Sequence, residues 1–289
     1  MYGIKMKINK ILILVLLIVV RTITVQADDK FDKKAILLNL AEPITWGLIQ
    51  QQKIVFVYRS FGRNILEGIK ELGIKYNQSE FVFIKPDTMA GLLKYSSGFF
   101  MQQWIEMNSS PQEIKEEYEH LLERIQLKDI DFAMVRFTPF FGNNNVEENF
   151  KQVRMVIEDL RKVYPDTLFI IPTFPLTYSK TTWRTQLKKF IGKDEIWEYD
   201  SNITINEFNR HMRNKYSSNV AFFDLAKIQS TYSNGKRSTF TKNGKSYFHM
   251  VSEYTHDGTH LSVKGREIVA EQFLSLIGKL ALQTNNRKK

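Results

Sequence analysis

No cysteine occurs among the 289 residues. That excludes disulfides and thiolate metal sites, so stability has to come from the core. It also leaves no sulfur for a bacterial lipid anchor. Proline and glycine are sparse, at 7 and 14 residues, and nowhere gather into a linker. There are no internal repeats and no low-complexity stretch, so nothing divides residues 28–289, and one domain is expected there. No apolar run approaches the roughly 20 residues that a bilayer span needs. The longest, ILILVLLIVV at 11–20, stops at Arg21. Acidic residues are in deficit, 31 against 41 basic.

The front of the chain has the layout of a signal peptide. Lys5, Lys7 and Lys10 precede the apolar run, and Val25-Gln26-Ala27 places small residues where a signal peptidase reads. Residues 1–27 are therefore expected to be an export signal, with an uncleaved anchor as the alternative. Its removal takes away four basic residues and no acidic ones, which lowers the net charge from +10 to +6. Such a surplus suits acidic envelope polymers or glycans and is too diffuse for nucleic acid. Export implies the periplasm or the medium, with no stable membrane span after processing. The basic end, Arg287-Lys288-Lys289, reads as part of a solvated tail over 283–289.

Five apolar runs, rich in β-branched and aromatic residues, read as strands covered on both faces: 53–58, 80–85, 130–136, 167–172 and 219–223. Helical periodicity occupies 62–74, 111–127, 146–164, a stretch around 203–216, and 262–282. Ser110-Pro111 marks one helix start. Strands alternating with helices imply an α/β fold with a parallel sheet. In such sheets, sites form beyond the carboxyl ends of the strands.

Two loops there hold candidate chemistry. Ser60 follows the first strand and opens a helix, whose N-terminal amides favour negative charge on a serine oxygen. Helix capping is the structural alternative. The second loop is Tyr254-Thr255-His256-Asp257-Gly258-Thr259-His260-Leu261-Ser262. Asp257 and His260 are spaced so that the carboxylate can accept the ring Nδ1 hydrogen and leave Nε2 as a base. A serine alcohol needs such a base to act as a nucleophile. His249, His256, His260 and Asp257 also form a conceivable donor set for a divalent ion, although no familiar metal spacing occurs. Residues 173–202 read as a long insert shaping access to the site. Most of the aromatics, Trp104, Phe99 and Phe100 among them, are expected in the core or as loop cover, with a glycan cleft as the alternative.

With Ser60 after the first strand and Asp257-x-x-His260 before the last helix, the chain resembles the SGNH (GDSL-type) hydrolases over roughly residues 53–280. The similarity extends to Phe223-Asp224-Leu225-Ala226-Lys227-Ile228 and Tyr232-Ser233-Asn234-Gly235, and to the D-G-x-H-L-S-x-x-G arrangement ending at Gly265. The resemblance implies a flavodoxin-like, three-layer α/β/α fold with a five-stranded parallel sheet. It implies ester hydrolysis through an acyl-serine, with Ser60 as nucleophile, His260 as base and then acid, and Asp257 as its orienting partner. It requires no cofactor and no metal. The chain departs from the family where Tyr58-Arg59 replaces the usual Gly-Asp before the serine. Asn144, Gly98 and Gly91 are the candidates for the remaining oxyanion donors. Arg59 and Arg136 are candidates for substrate binding or, alternatively, for pairing with local carboxylates. The implied substrate is a small ester or an acylated glycan bearing a short acetyl-type group. Transfer to a sugar hydroxyl, or glycan binding without catalysis, would use the same fold.

Overall fold

A computed structural model describes residues 43–78, 82–85, 98–104, 110–125, 130–135, 145–178, 197–219 and 221–287. Within them, α1 (Pro43–Gln50) leads into β1 (Lys53–Tyr58), whose last five residues are all buried. Next come α2 (Ser60–Lys75), β2 (Phe83–Ile84), β3 (Phe99–Trp104) and α3 (Pro111–Ile125). They are followed by β4 (Phe132–Val135), α4 (Val146–Val163), β5 (Leu168–Pro172) and α5 (Trp197–Tyr216). The chain closes with β6 (Phe222–Phe223), α6 (Leu225–Gln229), an antiparallel hairpin of β7 (Thr239–Lys242) and β8 (Lys245–Phe248), and α7 (Val263–Arg287).

The main sheet has six strands in the order β2-β3-β1-β4-β5-β6, all parallel. Five were expected. The run at 80–85 contributes only Phe83 and Ile84, as an outer edge. The place beside β1 belongs instead to β3, an unanticipated strand whose Tyr58↔Trp104 register brings two aromatics to the carboxyl edge. From β1 the chain first builds outward on one side through β3 and later on the other through β4. The carboxyl end of β1 is therefore the switch point of the sheet, where α/β folds bind ligands.

Helices cover the sheet in two layers: α1, α2 and α7 pack together, and so do α3, α4 and α5. Strand β1 is in contact with α7 through an edge-to-face pair, Phe56 and Phe273, at 5.7 Å. Two glycines make the helical layer on that side possible. A Cβ on Gly68 of α2 would stand 2.5 Å from the Arg266 carbonyl of α7, and one on Gly265 would stand 2.2 Å from the Tyr254 carbonyl. Bare backbone is what lets α7 lie close to both α2 and the preceding loop. Arg266 reinforces the crossing by reaching Glu71 at 2.5 Å and Glu67 at 3.6 Å.

The start of the expected insert is anchored to the body of the domain. Residues 173–178 continue from β5 and are held by buried amide side chains. Asn209 exchanges hydrogen bonds with the Phe174 backbone, Gln229 accepts from Leu176 N–H at 2.8 Å, and Asn202 pairs with both backbone groups of Thr177. Each amide replaces the ladder partner that a neighbouring strand would supply, so this segment is anchored without belonging to the sheet. The rest of the expected insert before α5, including Trp183, lies outside the described residues.

Candidate active site

Strand β1 delivers the chain to the switch point at Tyr58. Arg59 turns it with extended backbone, and its carbonyl accepts from Gly62 N–H at 2.6 Å, opening α2. Ser60 is thus the first helical residue, and the residue in the capping position is Arg59, which makes no side-chain capping bond. The Ser60 hydroxyl is exposed and has no hydrogen-bond partner among the described residues. A capping role for this serine is overturned on that ground.

The second loop is closed on itself. Thr255 and Leu261 form an antiparallel bridge. The buried Thr255 hydroxyl donates to the His260 carbonyl at 2.7 Å and accepts from Gly258 N–H at 2.8 Å. Gly258 has φ +95°, and its carbonyl accepts from Tyr178 N–H at 2.7 Å, which docks the loop on the anchored segment. A Cβ on Gly258 would meet the Tyr178 carbonyl at 2.8 Å, so both conformation and space require glycine.

This frame aims one carboxylate. Asp257 Oδ1 accepts from the N–H groups of Thr259 and His260 at 2.8 and 2.7 Å, and Oδ2 lies 2.7 Å from His260 Nδ1. Desolvation pushes the Asp257 carboxyl up. The His260 ring bond and the two backbone donors outweigh that push and hold it well below the usual carboxylate range. With Nδ1 occupied, His260 presents Nε2, which has no partner among the described residues. The His256 ring lies 6.4 Å from that of His260, with its Nε2 at 3.6 Å from the same Asp257 Oδ2, beyond hydrogen-bond reach.

A buried amide joins the two halves. Asn64 lies one turn along α2 from Ser60, and its Oδ1 accepts from Leu261 N–H at 3.1 Å. Residues four apart share a helix face. The helix that carries the serine is therefore fastened to the residue after His260, although 197 positions separate the bonded pair. Asn64 gave no signal in the sequence, because a lone polar residue in an amphipathic helix reads as solvent-facing.

The other expected residues divide. Gly98 is a correction: it precedes β3 at the amino end of the sheet, where its Cβ would meet Gln52 O at 2.3 Å and Gln50 O at 2.5 Å. Six residues of strand, roughly 20 Å, separate that end from Ser60, so its backbone serves close packing and not oxyanion binding. Asn144, Gly91 and Arg136 lie outside the described residues. Arg59 forms no ion pair with a described carboxylate. His249 stands apart from His256 and His260, stacking on Tyr178 at 5.3 Å, and no group of three or more donors suited to a metal occurs among the described residues. Burial lowers the pKa of His249.

No protein-family model matches this chain, and no curated protein sequence matches it. The chain is similar in structure to an inferred acylhydrolase from Bacteroides fragilis NCTC 9343. The identity is 12%, over 80% of this chain and 88% of that one, with a TM-score of 0.46. It is similar to a GDSL-like lipase from Bacteroides thetaiotaomicron VPI-5482, at 11% identity over 83% and 90% of the two chains, with a TM-score of 0.44. An inferred platelet activating factor from Streptococcus pneumonia aligns over 83% and 94%, at 14% identity and a TM-score of 0.43.

Proposed function

We propose that this chain is an exported serine esterase that removes a short acetyl-type acyl group, carried on a carbohydrate, with Ser60 as nucleophile. The observation that carries the reading is the Asp257–His260 contact at 2.7 Å in a loop fastened through Asn64 to the serine's own helix.

In this reading His260 Nε2 takes the Ser60 proton as the oxygen attacks the ester carbonyl. Asp257 keeps the ring in the required tautomer and stabilises the imidazolium. Collapse of the tetrahedral intermediate breaks the ester C–O bond, and the departing alcohol takes the proton from Nε2. Water then gives a proton to Nε2, attacks the acyl-serine and releases the acid, and the proton returns to Ser60. The carbonyl oxygen needs donors. The Ser60 N–H, at the positive end of α2 and without an acceptor among the described residues, is one. Asn144 and Gly91 remain proposed as others. The basic surplus of the sequence, which suits acidic polymers, supports a substrate in the cell envelope or outside it.

Purified protein should release p-nitrophenol from p-nitrophenyl acetate, and Ser60→Ala should lower that rate by at least about 10³-fold while thermal unfolding stays unchanged. A Ser60→Ala protein that hydrolyses the ester as fast as wild type would sink the reading.

A further inference from the structure

Beside Ser60 stands a second arrangement that the triad does not use. Trp104 ends β3 opposite Tyr58, their rings edge to face at 5.6 Å. It remains 38% exposed, at the end of a strand whose cover falls away after Met101. The Arg63 guanidinium lies over the Trp104 ring, 5.0 Å from its centroid. It is also close enough to the buried Tyr58 hydroxyl to oppose the rise in pKa that burial causes there. Arg63 is three residues after Ser60, a neighbour on the helix surface at about 5–6 Å between Cβ atoms.

No described carboxylate neutralises this cation. The first turn of α2 contains no acidic residue, and Glu67, one turn further on, pairs with Arg266. Arg59, on the other side of Ser60, has no described ion pair either. An exposed arginine usually wanders. Here the indole face holds the guanidinium by its charge and plane, the Tyr58 hydroxyl engages part of its donor set, and the remaining N–H groups are left over. What is left is a fork of donors, fixed before any ligand arrives, whose geometry matches the two oxygens of a carboxylate or phosphate. Because the side chain is already ordered, little further entropy is lost on binding.

We infer that Arg63, laid on Trp104, is the recognition site for an oxyanion, carboxylate or phosphate, carried by the ester substrate within about one sugar or glycerol unit of the scissile bond. This rests on Ser60 being the nucleophile. It narrows the substrate to esters of anionic alcohols, such as acetylated uronic acids or acetylated glycerol phosphates.

The test uses two matched pairs: O-acetyl galacturonate against O-acetyl galactose, and acetylglycerol phosphate against acetylglycerol. For one pair at least, wild-type kcat/KM should favour the anionic member by about ten- to hundredfold, as expected for a charge-assisted fork. The pair that shows the preference identifies the oxyanion as carboxylate or phosphate. Arg63→Gln should bring that ratio close to one. A wild-type ratio near one in both pairs, or a ratio that survives Arg63→Gln, overturns the inference. So does an equal loss on both members, which would make Arg63 a general stabiliser of the reacting carbonyl. Should Arg63→Gln fail to fold, Trp104→Leu releases the guanidinium and must lower the same ratio. If wild type hydrolyses no ester at all, the esterase reading fails by itself. Calorimetric titration with galacturonate and glycerol 3-phosphate then decides: binding that Arg63→Gln abolishes supports the anion site, and absence of binding overturns it.

Discussion

At the scale of single residues, the Asp257 carboxylate governs the site more than its modest burial suggests. Both oxygens are committed, one to two backbone N–H groups and one to the His260 ring. Asp257→Asn keeps the shape but offers an amide that cannot both accept the ring hydrogen and satisfy the loop, so the imidazole is held in the wrong tautomer. Turnover of p-nitrophenyl acetate is expected to fall about 10³–10⁴-fold with the fold retained. The same bonds set a pH signature. The folded-state pKa lies below the unfolded one. The unfolded chain therefore binds the extra proton first as pH falls, and the stability due to Asp257 is complete at neutral pH and drains away below about pH 4. The side chain is 42% exposed, so solvent screens much of that increment. Thermal unfolding compared at pH 3 and pH 7 should show a smaller acid-induced drop for Asp257→Asn than for wild type. An equal drop would mean that other carboxylates cause it. Asp257 and His260 were legible from sequence because their partnership is local, a spacing of three. Gly98 was not, because its role depends on the backbone of Gln50 and Gln52, far from it in the chain.

At the scale of elements, α2 and the 255–261 loop act as one unit through Asn64. Asn64→Ala leaves the Leu261 N–H unpaired in a buried place, a defect costing about 1–3 kcal/mol. It should also loosen the registration of Ser60 against His260. The expected result is a lower Tm together with a loss of kcat larger than any change in KM for p-nitrophenyl acetate. An unaltered kcat in a destabilised protein would show that Asn64 supports only the fold. Sequence periodicity anticipated the long helices and β1, β4 and β5, because each buries a continuous or regularly spaced apolar set. It missed the strand beside β1. Gln102 and Gln103 interrupt the apolar character of β3 as it climbs toward the carboxyl edge, where half-exposure tolerates them. The more apolar run at 80–85 marked an outer edge of only two paired residues. On α5, Asn202, Asn206 and Asn209 recur at helical spacing, a polar pattern that solvent-facing helix surfaces also show. Asn202 and Asn209 are wholly buried because the surface they face is backbone, at Thr177 and Phe174. A pattern of polarity records what a face touches, and polar backbone counts as much as water.

At the scale of the molecule, the two loops of the site come from opposite ends of the described chain, and α7 is what closes the distance. It buries Val269, Ala270, Phe273, Leu274, Ile277, Leu280 and Ala281, and Phe273 alone is edge to face with Phe56 of β1 and Phe223 of β6. A chain ending after Gln272 would lack Phe273, Leu274, Ile277 and Leu280. Each large apolar loss costs about 2–5 kcal/mol, and four together, about 8–20 kcal/mol, match or outweigh the roughly 5–15 kcal/mol that holds a domain folded. Such a protein should show no cooperative unfolding transition and no ester turnover, even though Ser60, Asp257 and His260 are all present. A chain ending after Leu282 keeps every one of these buried residues, and the part it loses starts with exposed Gln283. Its Tm should stay within about 3 °C of wild type, since 1 kcal/mol moves a domain of this size by about 2–4 °C. Circular dichroism melts of the two truncations, read beside p-nitrophenyl acetate hydrolysis, separate the outcomes. A folded, active protein ending at Gln272 would mean that the contact between the serine helix and the histidine loop does not depend on α7, and that Asn64 holds the site together on its own.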